Sequence, residues 1–169
     1  EDDLFYSCSS LENVSIPEGV TSIGNSVFEN CSSLESIEIP ESVVNIGSFA
    51  FENCSSLKNI HIPEGVTSIN PGTFQGCSNL VSVNITENSD EIDAYAFRNC
   101  SSLASIEIPA NVTIIGEGSF QNCSSLTSVE IPANVMRIEN KAFGGCSNLN
   151  EIKFMGSAAQ IKEDSFEDV

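Results

Sequence analysis

The stretch Cys54-Ser55-Ser56-Leu57-Lys58-Asn59-Ile60-His61-Ile62-Pro63-Glu64-Gly65-Val66-Thr67-Ser68-Ile69, followed by Phe74, decides the fold. It recurs along the whole chain at a fixed step of 23 residues. Cys stands at 8, 31, 54, 77, 100, 123 and 146; Phe runs in the same step from Phe5 to Phe166, Leu from Leu11 to Leu149 and Ile from Ile23 to Ile161. A constant period of this length marks a solenoid, in which each unit buries its apolar positions only by stacking on its neighbours. Seven units run from residue 8 to residue 168, and residues 1–7 read as the end of a preceding one. The expectation is a single repeat domain over residues 1–169, cut from a longer repeat protein.

Within a unit, Leu34-Glu35-Ser36-Ile37-Glu38-Ile39 alternates apolar and polar residues, the pattern of a half-buried strand. Pro17, Pro40, Pro63, Pro109 and Pro132 follow the strands, where a residue without an N–H ends ladder pairing. The segment before each Cys is short and fits a helical turn, with Pro71 at a first-turn position. The residue just before Cys is Asn30, Asn53, Gly76, Asn99, Asn122 or Gly145, the residue types that accept a left-handed backbone. Stacked strands pair in parallel at about 4.8 Å, so seven units extend roughly 35 Å. The expected class is an α/β solenoid, right-handed by the crossover rule, with a parallel concave β-sheet and short helical or irregular convex turns.

The unit resembles the BspA-like leucine-rich repeats of bacterial and protozoan surface proteins, and the likeness covers essentially the whole chain. The matching residues are structural. The resemblance implies a secreted or cell-surface, non-catalytic adhesion module that binds host matrix protein, another cell or a glycan. It carries over no catalytic residue. A structural spacer within a larger surface protein or enzyme is the alternative.

Composition narrows the function further. The chain has 169 residues, 24 acidic and 6 basic, with a formal net charge of −18 and one His. Such a surplus opposes binding to nucleic acid phosphates or anionic lipid, and general acid–base chemistry is poorly supplied. No apolar run approaches the ~20 residues of a membrane span. No cofactor is expected. The segment Cys77–Asn99 departs most from the repeat, with Thr86 for Pro and Ser89 for Val, which reads either as a functional mark or as drift.

The cysteines admit three readings. As a column they are small buried hydrophobes. Disulfides between neighbours would need stacked Cβ atoms at ~4.8 Å to close to the usual range, and the odd count leaves one unpaired. Metal binding lacks a Cys-x-x-Cys pair and a nearby His. The Asn-x-Ser/Thr matches at Asn13, Asn30, Asn53, Asn84, Asn99, Asn111 and Asn122 are largely by-products of the repeat.

Binding is expected on the concave columns. One contains Glu38, His61, Asn84, Glu107 and Glu130; its neighbour contains Ser36, Asn59, Ser82, Ser105 and Ser128. Beyond the Pro lie Glu41, Glu64 and Glu87, continuing from Glu18 and giving way to Ala110 and Ala133. Phe49 and Tyr95, with Gly72 between them, form a second candidate contact on the convex side. Phe154, Met155, Ala158 and Ala159 read as the start of a C-terminal cap. Uncapped ends would favour end-to-end self-association.

Overall fold

The computed structural model describes residues 1–156 and 160–169. The expected cap residues Ala158 and Ala159 lie outside the described residues. The strands are β1 (Asn13–Ser15), β2 (Ser22–Ile23), β3 (Ser36–Glu38), β4 (Asn45–Ile46), β5 (Asn59–His61), β6 (Ser68–Ile69) and β7 (Ser82–Asn84), then β8 (Glu91–Ile92), β9 (Ile114–Ile115), β10 (Ser128–Ile131), β11 (Arg137–Ile138), β12 (Glu151–Phe154) and β13 (Gln160–Ile161). All pairings are parallel and join residues 23 apart, as in Ile60 with Val83. The protein is therefore a parallel β-solenoid whose register is the sequence period.

Two faces carry strands. The long strands pair as β1-β3, β5-β7 and β10-β12, and the two-residue strands pair as β2-β4 and in the order β6-β8-β9-β11-β13. The first set was expected as one continuous sheet. It is interrupted twice: β3 and β5 are not paired, and no backbone hydrogen bond joins Ser105–Glu107 to the coils on either side. The second set lies on the Ile23–Ile161 column and was not anticipated. Between the two sets, each Pro carbonyl accepts the N–H three residues on, as Val66 donates to Pro63 at 3.0 Å. Thr86 keeps this turn without Pro, since Ser89 N–H donates to its carbonyl at 3.0 Å.

The helical convex turns are a correction: no helix occurs among the described residues. Each such segment instead places two residues in the left-handed region, four apart, as at Ser26 (φ 51°) and Asn30 (φ 60°) or Phe49 (φ 58°) and Asn53 (φ 57°). A left-handed residue in every turn prevents consecutive α geometry. The N–H groups that a helix would use internally go to the next coil: Phe28 donates to Ala50 O at 2.8 Å and Phe97 to Ser119 O at 2.7 Å. These bonds form a third inter-coil ladder, so the α/β description gives way to an all-β coil.

The interior is made of stacked columns. Phe28, Phe51, Phe74, Phe97, Phe120 and Phe143 are buried, and neighbouring rings from Phe5 to Phe166 stack nearly parallel with centroids 5.1 to 5.6 Å apart. All seven cysteines are free thiols, six of them buried. Each buried thiol donates to the Phe carbonyl of the preceding turn, as Cys54 Sγ does to Phe28 O and Cys100 Sγ to Phe74 O, at 3.1 and 3.2 Å. The Cys is thus a donor that fits where a larger apolar side chain would leave that carbonyl one partner short.

The left-handed positions constrain their neighbours. Asn53 Nδ2 donates to Asn30 Oδ1 at 3.0 Å, and Asn122 repeats this with Asn99 at 2.9 Å. These four Asn, all matches to a glycan acceptor pattern, serve as turn residues in amide ladders. At the other left-handed position, Gly72 (φ +61°) lies directly under the Phe49 ring, which a Cβ would strike. Gly72→Ala is expected to cost about 2 kcal/mol, combining left-handed strain with displacement of that ring. The control is Gly19→Ala, where φ is +94° but no atom lies within 4 Å, so only the backbone cost of about 1 kcal/mol remains. Urea unfolding midpoints of the two variants test the difference.

Candidate functional site

Alternation along the long strands turns one set of side chains inward and the other to solvent. Ile37, Ile60, Ile106 and Val129 are buried, whereas Glu38, His61, Asn84, Glu107 and Glu130 are exposed. The flanking Ser36, Asn59, Ser82, Ser105 and Ser128 are exposed as well, and so are Glu41, Glu64 and Glu87. Every expected site residue therefore reaches the surface, and all belong to one face. Ser105 and Glu107 stand on the unpaired stretch between β7 and β10 rather than on a strand.

Local contacts divide this face. His61 Nε2 lies 3.2 Å from Glu41 Oε1, although the two are 20 residues apart. Lys58 pairs with Glu35 at 3.0 Å, Lys153 pairs with Glu130 at 2.8 Å, and Ser82 Oγ donates to Asn59 Oδ1 at 2.8 Å. The Glu130 carboxylate raises the pKa of Lys153 by hydrogen bonding and by charge. Among the described residues, no basic side chain pairs with Glu38, Glu87 or Glu107. These remain free carboxylates on a surface that exposed ion pairs stabilise only weakly.

Grooves run across the same face. One of about 570 Å³ lies between Asn13–Glu18 and Ser36–Glu41, with Glu18, Glu38 and Glu41 at its edge. Another, of about 520 Å³, lies over coil five (Cys100–Asn122) and coil six (Cys123–Gly145), with Ala110, Pro132, Ala133 and Met155 on its rim. A smaller one of about 290 Å³ adjoins it and shares Glu87, Ser105 and Glu107.

The divergent unit does not add a surface site at its two substituted turn positions. Thr86 and Ser89 are buried; Thr86 Oγ1 donates to Val66 O at 3.0 Å, and the two hydroxyls lie 3.4 Å apart. Glu91 in this unit has a raised pKa, from partial burial first and then from the Asp93 and Asp90 carboxylates. The convex aromatics are not separated by a basin either. Phe49 covers Gly72, and Tyr95 covers Gly118 while its hydroxyl donates to Glu117 at 2.7 Å. The Arg98 guanidinium sits 5.4 Å from the Tyr95 ring centre. Among the described residues no group of three or more His, Cys, Asp or Glu could hold a metal ion, and no helix is long and apolar enough to cross a membrane.

A family pattern described as the BspA type leucine rich repeat region matches residues 1–127 and 113–169, in 6 copies. No curated protein matches the sequence. Among solved structures, a leucine rich repeat protein of T. pallidum is similar at 30% identity and a TM-score of 0.83, over 88% of this chain and 72% of that one. A leucine-rich repeat protein from Bacteroides ovatus is similar at 28% identity and a TM-score of 0.52, over 97% of this chain and 60% of the other. A leucine rich cell surface protein from Faecalibacterium prausnitzii is similar at 25% identity and a TM-score of 0.55, over 92% and 63%. The chain thus spans less than two thirds of the latter two proteins.

Proposed function

The chain belongs to the BspA type leucine-rich-repeat family, and from that premise we propose that it is a non-catalytic protein-recognition module of an extracellular or cell-surface protein. We read residues 1–169 as one such module and take its coil as right-handed, following the crossover rule for parallel strands. The observation that carries the proposal is the long-strand face. Its polar columns are exposed in register, over strands paired by inter-coil hydrogen bonds except at Ser105–Glu107, and among the described residues Glu38, Glu87 and Glu107 have no basic partner. Such a face presents side chains from a preformed backbone, so binding orders side chains but little main chain. The similar Faecalibacterium prausnitzii protein, a leucine rich cell surface protein, supports the surface location.

The test is a panel of immobilised fibronectin, fibrinogen and glycans probed with the chain. Saturable binding is expected to at least one protein. The combined change Glu38→Lys, Glu107→Lys and Glu130→Lys should weaken it by more than roughly tenfold, mainly by opposing the partner's charge. Binding unaffected by the triple change would remove this face from the site, and silence across the panel would leave the spacer alternative.

A further inference from the structure

We propose that the edge running from Glu87 past Ala110 and Ala133 to Met155 is a docking groove for an extended peptide that carries a Lys or Arg two residues before an apolar side chain. This rests on the protein-recognition reading and names the chemistry of the partner.

The column beyond the long strands sets the groove. It reads Glu18, Glu41, Glu64 and Glu87, then Ala110 and Ala133. A groove also lies among the Glu positions at the other end of this column; where Glu gives way to Ala, the groove of about 520 Å³ is lined by Ala110, Pro132, Ala133 and Met155 instead. Its far end is closed by Met155, which is 53% exposed and stands where the preceding two coils have Pro109 and Pro132. An exposed thioether at the end of an apolar trough adapts to varied apolar side chains. Beneath the trough, Ile106, Ile108 and Val129 are buried.

The walls are held in place. Asn111 Nδ2 donates to Glu87 O at 2.6 Å, and Asn134 Nδ2 donates to Ala110 O at 2.8 Å. The apolar trough and the smaller groove beside it share Glu87, Ser105 and Glu107, so apolar and acidic parts form one continuous surface. Neither carboxylate has a basic partner among the described residues.

Spacing then selects the occupant. From Glu87 the two Ala positions lie one and two coils away, roughly 5 and 10 Å at the parallel-strand spacing. In an extended peptide, side chains i and i+2 share a face and stand about 6.6 Å apart. A cation over Glu87 therefore places the apolar side chain two positions later between Ala110 and Ala133. Charge complementarity steers the basic residue, and apolar burial retains the next anchor.

Fluorescence anisotropy with a labelled peptide of two Lys-Ser-Phe units separated by Gly tests this on the full chain. Saturable binding is expected, with Kd on the order of 100 μM. Replacing Lys by Glu, or Phe by Ser, should each weaken it roughly tenfold or more. Ala110→Lys fills the trough at an exposed position and should abolish binding, while Glu163→Gln, an exposed carboxylate outside both grooves, should leave it unchanged. Equal binding of the Lys-Ser-Ser peptide, no saturable binding, or an Ala110→Lys variant that binds as before would each overturn the groove. Matrix-protein binding sensitive to the Glu38, Glu107 and Glu130 changes, beside a silent peptide, would sink the groove and leave the broader reading intact. The reverse result would support the groove and remove the strand columns from the recognition site.

Discussion

Phe97→Ala should cost about 4 kcal/mol of stability, the range for deleting a buried aromatic ring. Phe97 is fully buried, and its ring stacks on Phe74 and on Phe120 with centroids 5.4 Å away on both sides. Its backbone bonds do not depend on the ring: the N–H reaches Ser119 O at 2.7 Å, and the carbonyl accepts Cys123 Sγ at 3.2 Å. Those bonds hold the coils apart at a fixed spacing, so the cavity left by the ring cannot collapse. In a quasi-one-dimensional array this also weakens the coupling between the two halves. Urea unfolding followed by circular dichroism should show a lower midpoint and a broadened or split transition. Phe166 offers the comparison, being only partly buried and stacked on Phe143 at 5.3 Å. Phe166→Ala should cost about 1–2 kcal/mol, since less area leaves water-free surroundings. Equal losses at the two positions would show that the ring column is not what couples the coils.

That column was readable from the sequence because the period repeats every apolar position at once. The left-handed Asn or Gly before Cys was readable for a different reason, since few residue types tolerate positive φ. The second left-handed position was not. It holds Ser26, Phe49, Tyr95 and Lys141 beside Gly72 and Gly118, and these side chains give no common signal. Without it, the segment before Cys looked like a helical turn. The choice between helix and coil is made by where the N–H groups of Phe28 and Phe97 go, which is the next coil rather than four residues back. The two-residue strands such as β2 and β4 were too short to show alternation. On the candidate face, alternation correctly exposed Glu38, His61 and Glu107. The His61–Glu41 contact could not be read, because it depends on one coil lying beside the next and not on chain distance. The drop from Glu to Ala at Ala110 and Ala133 was visible as a charge boundary. That the groove there gains an apolar lining ending at Met155 is a property of the packed coils.

Alkali should unfold the protein steeply, with the loss beginning near pH 9. Cys77 and Cys146 have pKa values pushed up to about 12 and about 11, from an ordinary 9.0, principally because burial disfavours the thiolate. Cys54, Cys100 and Cys123 are raised for the same reason, with like charge from neighbouring thiolates adding to it. The folded pKa of each of these five thiols exceeds its unfolded value. Below about pH 9 both states keep the proton, and the contribution to stability is complete. Above it the unfolded chain releases protons that the folded chain retains, so stability falls as pH rises toward the folded values. Each such thiol contributes a slope of up to about 1.4 kcal/mol per pH unit, and five together approach about 7 kcal/mol per unit. Against a typical total of about 5–15 kcal/mol, one to two pH units are enough to lose the fold. Circular dichroism against pH should therefore show a sharp transition between about pH 9 and 11, and urea midpoints taken across it should report nearly five protons released on unfolding. Cys100→Ala lowers stability at pH 7 by opening a small cavity and leaving Phe74 O without its thiol donor, yet it should make the alkaline transition shallower by about one proton. A transition of unchanged steepness in Cys100→Ala would show that buried thiols do not drive it. Native thiol titration at pH 8 sharpens the same point: Cys8 is exposed and should react at once, while the six buried cysteines react only at the rate at which the coil opens.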